Sequence, residues 1–263
     1  MTILVRGKKF FLRGDIWFDC EPEETPNVDV LYYYYQQIPP SIPGIESDEE
    51  YTLLIDLTKT QDELWKNLSK NTRHKIRQAS NKDRFVYEFW DRVDSNVLND
   101  FSDFYSRFAS QQGLAKWSGL EISRLKSYAD AGVLNFSHVK TKEGNSLIWR
   151  VYYRGEKRVV SLHSALIRNS TDASYNQMLG RANRYDRWQD ILTFKNLGVL
   201  IYDLGGWYAN TTDPKLLNIN KFKESFGGKL VRNFNCRQGI TAKGKLFLLS
   251  RKILLYLLLS LVL

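Results

Sequence analysis

Residues 133–167 read VLNFSHVKTKEGNSLIWRVYYRGEKRVVSLHSALI. Three runs rich in β-branched and aromatic residues, 133–140, 147–153 and 158–167, are separated by polar segments at 142–145 and 154–156 that carry Gly144 and Gly155. Runs of that length and composition with glycine-bearing turns between them predict a meander of antiparallel strands. Outward from the meander the hydrophobic period changes. Upstream, 51–57 reads as a strand, 62–79 as an amphipathic helix with Thr60 as N-cap, 85–90 as a strand, and 95–111 and 120–131 as helices. Downstream, 181–196 reads as a helix stopped by Gly198, and 199–204 as a short buried strand running into Gly205 and Gly206. A helix over 216–226 is closed by Gly227 and Gly228, and 229–234 is the last strand. This order is α+β and not doubly wound. Residues 1–50 read as an N-terminal extension of short strands and loops, with an acidic stretch at 21–26, a tyrosine run at 32–35 and a turn containing Pro39, Pro40, Pro43 and Gly44.

The composition is that of a folded globular protein: 43% apolar and 25% charged residues exclude disorder of the whole chain. A net charge of +9 favours phosphate-bearing partners, whether nucleotides, tRNA or anionic lipid head groups. Two cysteines, Cys20 and Cys236, make no disulfide framework, and His74, His138 and His163 have no metal-ligand spacing. No signal-peptide pattern is visible, so the expected compartment is the cytoplasm, with no metal site.

A resemblance emerges from four motifs. ANRYDRW at 182–188 resembles the Ala-Asn-x-x-x-x-Trp helix of FemABX-like transferases, which belong to the GNAT acyltransferase superfamily. YDLGG at 202–206 and NKFKESFGG at 220–228 follow in that family's order, and LSKNTRHKIRQA at 68–79 is similar to its first basic helix. The match covers residues 51–235. It implies a GNAT-like fold over 51–240, a mixed and mostly antiparallel sheet flanked by helices. It also implies amide-bond formation on a cell-wall peptide or glycan precursor. The co-substrate would be aminoacyl-tRNA or acyl-CoA, with no permanently bound cofactor. Larger family members carry two GNAT-like domains, whereas only residues 1–50 precede the first motif here.

Candidate residues follow from the motifs and their chemistry. Gln177, Gly180, Arg181 and Ala182 fit the Q/R-x-x-G-x-G/A pattern at which GNAT enzymes bind a pyrophosphate; small residues let backbone N–H groups at a helix start approach the anion. The same residues fit a plain helix opening. If kept for its function, the pattern favours an acyl-CoA donor. Gly205 and Gly206 mark a place where backbone passes close to something, and the resemblance implies that strand 199–204 splays from strand 158–167 there. In that gap, backbone N–H groups along 161–165 would polarise the acyl carbonyl. Asp203 is read either as a turn cap or as a ligand for the incoming amine. Lys223, beside Phe222, matches the family lysine that stabilises a tetrahedral oxyanion, with Lys221 and Lys229 as alternatives. His163 alternates with Ser161 and Ala165 and is read as a general base or as a structural histidine. Lys66, Lys70, Arg73 and Arg77 share a helical stripe that suits a diphosphate or a tRNA backbone, or a solvated face.

The C-terminus is a hydrophobic helix over 246–263, flanked by Lys243, Lys245, Arg251 and Lys252. Its apolar run after Lys252 is too short to span a bilayer. It must be covered by this chain, by a partner copy or by the cytoplasmic face of a membrane. Two classes of function are compatible with these readings: an acyl- or aminoacyltransferase, and a GNAT-like module that binds a nucleotide-linked precursor without turnover.

Overall fold

The computed structural model describes residues 4–8, 11–18, 26–115, 119–168 and 171–260. Cys20, residues 21–25 of the acidic stretch and residues 261–263 of the tail lie outside the described residues. The chain forms two units. One holds residues 52–231 and the other holds 1–51 together with 232–263. The boundaries therefore differ from the linear division into 1–50, 51–240 and 246–263. Residues 1–50 are no separate extension, because they share a core with the chain's end.

That smaller unit contains β1 (Leu4–Lys8), β2 (Phe11–Trp17), β3 (Val30–Gln36) and the start of β4 (Glu46–Asp56). β1 pairs antiparallel with β2, and β2 pairs parallel with β3. Ile16, Val28, Leu31, Tyr33 and Cys236 bury one another, with Phe234 and Ile240 packed alongside. The Cys236 thiol lies inside, 3.5 Å from Ser47 Oγ.

In the larger unit the basic helix expected over 62–79 is two helices, α1 (Gln61–Asn67) and α2 (Lys70–Gln78). Thr60 caps α1 as expected, in a capping box with Glu63. The break follows from Leu68, which is extended, and from Ser69, whose hydroxyl caps Thr72 N–H and starts a new helix. Arg73 closes the gap by donating to the carbonyls of Lys66 and Leu68, both at 2.8 Å. A single π-turn (Ala79–Asp83) ends α2.

The chain then runs through β5 (Val86–Trp90), α3 (Ser95–Gln112), α4 (Gly119–Asp130), β6 (Leu134–Lys140), β7 (Ser146–Arg154) and β8 (Arg158–Leu166). The predicted meander is present, with β5, β6, β7 and β8 paired antiparallel in turn. Next come α5 (Ala173–Asn196), β9 (Ile201–Trp207), α6 (Pro214–Glu224), β10 (Lys229–Gly239) and α7 (Ala242–Ser260). Strand order in the larger unit is β4-β9-β8-β7-β6-β5, with β8 and β9 parallel, so the sheet is mixed and mostly antiparallel. In the smaller unit β10 pairs antiparallel with β3.

On one face of the larger unit's sheet, α1, α2 and α5 bury Leu64, Leu68, Ile76, Trp188, Ile191 and Phe194 against β4, β7 and β9. On the other, Phe101 of α3 packs on Phe136 and Trp149, with ring centroids 5.0 and 6.0 Å away.

Two glycines behave in opposite ways. Gly228 has φ +106°, and a Cβ there would lie 2.8 Å from the Leu54 carbonyl oxygen. Gly180 sits inside α5 with nothing within 4 Å of an added Cβ. Gly228→Ala should therefore destabilise the fold by about 1–3 kcal/mol, while Gly180→Ala should stabilise it by about 0.5–1 kcal/mol. Urea unfolding of both variants checks this, and a neutral Gly228→Ala would contradict the close approach to β4.

Candidate active site

Hydrogen bonding joins β8 and β9 over only three residue pairs, Arg158↔Ile201, Val159↔Tyr202 and Val160↔Asp203. Beyond them the two strands part. The fork has a cause in each strand. In β8 the register against β7 slips between Val151↔His163 and Tyr152↔Ser161, which makes Leu162 an extra, bulged residue that bends the strand. In β9 Gly205 takes φ +73°, and a Cβ there would lie 2.8 Å from the Ser161 carbonyl oxygen. No L side chain fits that position without moving β8. From Ser161 onward the β9-facing edge of β8 has no strand partner among the described residues.

Lys223 projects from the last turn of α6 to this fork. Its ammonium donates to the Gly205 carbonyl at 3.0 Å and to the Gly206 carbonyl. Carbonyl dipoles orient the ammonium without cancelling its charge. Phe222 anchors the helix beneath it, with its ring 5.2 Å from Phe226 and the Arg184 guanidinium 5.3 Å from its centroid. Asn220, which the sequence reading passed over, is buried and clamps the chain after β9 from both sides. Its side chain accepts from Tyr208 N–H at 3.1 Å and donates to the Tyr208 carbonyl at 2.8 Å. Its position three residues before Lys223, within the same motif, was the available signal.

Asp203 is fully buried and is not open to an incoming amine. Its carboxylate accepts from Arg158 at 2.5 Å, from Gly205 N–H at 2.8 Å and from the Thr52 hydroxyl, which also donates to the Gly205 carbonyl at 3.0 Å. Of the two readings for Asp203, its bond from Gly205 N–H fits the turn cap. The ion pair ties β4, β8 and β9 together where the fork opens.

His163 does not share a face with Ser161. The bulge places Ser161 opposite Tyr152, while His163 and Ala165 lie opposite Val151 and Trp149 on the other face. The His163 ring lies 6.3 Å from Tyr105 of α3. Burial, with help from Arg124, pulls its pKa down to about 4.

The expected pyrophosphate cradle is not formed. α5 starts at Ala173, so Gln177, Gly180, Arg181 and Ala182 lie about one to two and a half turns inside a helix whose N–H groups are already bonded. Arg181 is held by Asp83 through bonds of 2.5 and 2.7 Å, and Ala182 is buried. The helix start itself carries a carboxylate, Asp172, which caps Tyr175 N–H at 2.9 Å. The cation stripe is likewise interrupted. Arg73 is turned to the end of α1 and Arg77 lies 5.5 Å from the Trp65 ring, while Lys66 and Lys70 are exposed.

Between α5 and the sheet lies a buried polar network. Arg150 donates to Asp186 at 2.5 Å, to Ser164 Oγ of β8 at 2.9 Å and to Asn183. Asp190 accepts from Tyr152 and, at 2.9 Å, from Tyr87. Tyr202 contacts Tyr152 at 2.9 Å and accepts from Arg187 at 2.7 Å. Burial raises the carboxyls of Asp186 and Asp190 above the ordinary range, and the charge of Asp190 adds to the rise at Asp186.

A separate cleft of about 520 Å³ is lined by Leu54, Asp56, Lys59, Asn67, Gly228 and Lys229, among others. Lys229 is the one sequence candidate in it. Asp56 there is kept ionised below the usual range by Thr58, whose hydroxyl and N–H both donate to it, so it is no proton acceptor near neutral pH. The exposed strand edge and the oriented ammonium are at the fork, which is therefore the stronger candidate for chemistry.

Solved structures similar in fold to this chain include FemX, with a TM-score of 0.63 at 12% identity, covering 89% of this chain and 83% of FemX. A second is a DUF2156 C-terminal domain from Agrobacterium fabrum assigned to a lysylphosphatidylglycerol synthetase, with TM-score 0.56, 11% identity, and coverage of 96% of this chain and 85% of that one. A third is L-PGS from Bacillus licheniformis, with TM-score 0.54, 9% identity, and coverage of 95% and 85%. The chain thus has a fold like that of FemX. The FemX likeness covers more of the chain than residues 51–235 make up, so it takes in residues outside the motif-bearing stretch. No protein-family model and no curated protein sequence matches the chain.

Buried His138 and half-buried His163 make a pH prediction. Burial lowers both His138 and His163 to about 4, whereas an unfolded histidine titrates near 6.5. Between those values the unfolded chain binds more protons, so these groups stabilise fully above about pH 6.5 and lose that contribution as pH falls towards 4. Asp186 and Asp190, with raised values, act in the opposite sense. Comparing His163→Gln with the parent isolates one group. The slope of unfolding free energy against pH should fall by up to one proton in the variant, and identical slopes would mean that His163 is solvated.

Proposed function

We propose that this chain transfers an activated aminoacyl or acyl group to an amine on a cell-wall peptide or glycan precursor, forming an amide. The observation that carries the reading is the ammonium of Lys223, fixed by the Gly205 and Gly206 carbonyls where β8 and β9 part. The amine nitrogen attacks the donor's carbonyl carbon, and a C–N bond forms as the carbonyl oxygen becomes an oxyanion. Collapse of that intermediate breaks the bond to the leaving oxygen or sulfur, which takes up the proton lost by nitrogen. A cation and unpaired strand N–H groups beside the developing oxyanion lower this barrier, and one such donor is worth about 2–4 kcal/mol.

Between the two donors, the geometry favours aminoacyl-tRNA. The pyrophosphate pattern of coenzyme A binding lies within α5, and the helix start carries Asp172, whose charge repels a phosphate. The likeness to FemX and to structures assigned to lysylphosphatidylglycerol synthesis supports the same choice through fold alone.

Lys223→Met should lower kcat roughly a hundredfold with little change in thermal midpoint or donor affinity. A loss below threefold would reduce Lys223 to a structural tie between α6 and β9. Donor binding should weaken steeply with salt if the donor is a tRNA, because phosphate contacts release counterions. Salt-insensitive binding of acyl-CoA would reverse the donor assignment. Binding of a nucleotide-linked precursor without turnover from either donor would make the chain a binding module.

A further inference from the structure

α7 has two opposed faces. At about 100° per residue, Gly244, Leu248 and Arg251 fall within about 60° of one another. That side is turned inward: Leu248 is buried, and the helix backbone at Gly244 approaches Asp29 so closely that a Cβ would lie 1.8 Å from the Asp29 carbonyl oxygen. Arg251 on the same side reaches Glu46 at 3.9 Å. The opposite side carries Leu246, Leu249 and Ile253, again within about 60°. These three large aliphatic side chains are 65%, 54% and 52% exposed. Exposed Lys245 and Lys252 line one edge of the stripe, and Lys243, paired with Asp29 at 3.0 Å, lies along the other.

Scattered exposed leucines need no explanation, but three aligned on one face of a helix between lysines are an unpartnered apolar surface. We propose that this face of α7 docks on an anionic phospholipid surface. The apolar stripe would enter the boundary between head groups and acyl chains, and the lysine stems would extend along it with their ammonium groups at the phosphates. The charge of the rim selects this occupant. A second copy docked face to face would bring two lysine-lined rims together, whereas anionic lipid neutralises them, and the chain's net charge of +9 acts in the same sense. The helix would lie along the surface, since no helix among the described residues is long and apolar enough to cross a membrane. The surface is independent of the transfer reaction: α7 belongs to the unit of residues 1–51 and 232–263, and the fork belongs to the other unit.

Co-sedimentation of the full chain with phosphatidylcholine vesicles, with and without phosphatidylglycerol, tests the proposal. The parent should bind the mixed vesicles, and the triple variant Leu246→Ser, Leu249→Ser, Ile253→Ser should bind at least tenfold more weakly with an unchanged thermal midpoint, because all three side chains face outward. Lys245→Ser with Lys252→Ser should keep the fold, weaken binding by about fivefold per lysine and blunt its salt dependence. Three results would each overturn it: equal vesicle binding by the parent and the triple variant, no binding by the parent, or a parent dimer that the triple variant dissolves while neither binds vesicles.

Discussion

Two arginines and two aspartates buried together between α5 and the sheet set the constraint on which the larger unit rests. Arg150, Arg187, Asp186 and Asp190 are all withdrawn from water, and their formal charges cancel. A neutral set of this kind is tolerable only when complete, because removing one member leaves a buried charge that costs about 3–5 kcal/mol. The tyrosines complete it: Tyr87, Tyr152 and Tyr202 supply hydroxyls to lone pairs that water would otherwise fill. Since the partners come from β5, β7, β8 and β9, α5 can dock in one register only. Apolar packing of Trp188, Ile191 and Phe194 alone would tolerate sliding.

The fork is built outward from that fixed register. Arg150 reaches Ser164 beyond the last β8–β9 pair, so the network holds β8 in place where its neighbour leaves. Arg158 and Asp203 repeat the logic at the base of the fork with a single pair and Thr52. Just past that base, β9 turns through Gly205, and its next two carbonyls face the Lys223 ammonium. Lys223 is therefore placed by backbone, which a change of neighbouring side chain cannot easily disturb, and a site on rigid elements is better preorganised than one on a loop.

Most of the strands were legible in the sequence because their cues are local. The meander over 133–167 has β-rich runs and glycine turns, Thr60 carries its capping box within three residues, and the glycines at 205 and 206 mark a tight approach whatever the tertiary context. What the sequence hid depends on partners far along the chain. The bulge at Leu162 exists only against β7, and without it simple alternation put His163 beside Ser161. The start of α5 was placed eight residues late because Gly180 looks like a boundary, whereas an acidic cap at Asp172 had already begun the helix. The single amphipathic stripe over 62–79 was periodic enough to read as one helix, although Ser69 is as good an N-cap as Thr60. The two readings of Asp203 stayed open in the sequence because its partner Arg158 lies in another strand.

The distribution of the two cation types bears on the choice of donor. Several guanidinium groups are held in fixed pairings: Arg150 and Arg187 in the buried network, Arg158 on Asp203, Arg181 on Asp83, Arg154 on the exposed Asp91 and Arg73 on the end of α1. A planar, weakly hydrated fork suits such fixed geometry, and a strongly hydrated ammonium does not. The surplus of +9 is carried in part by exposed lysines such as Lys59, Lys66, Lys70 and Lys229 and by exposed arginines such as Arg77, Arg84 and Arg92. Cations spread over a surface make a diffuse field, whereas a diphosphate clamp needs forked donors converging on one point. A diffuse field suits a long polyanion that touches many lysines at once, and it gives little grip on a single pyrophosphate. For the transfer proposed above, that contrast joins the acidic start of α5 as an argument for a tRNA-borne donor.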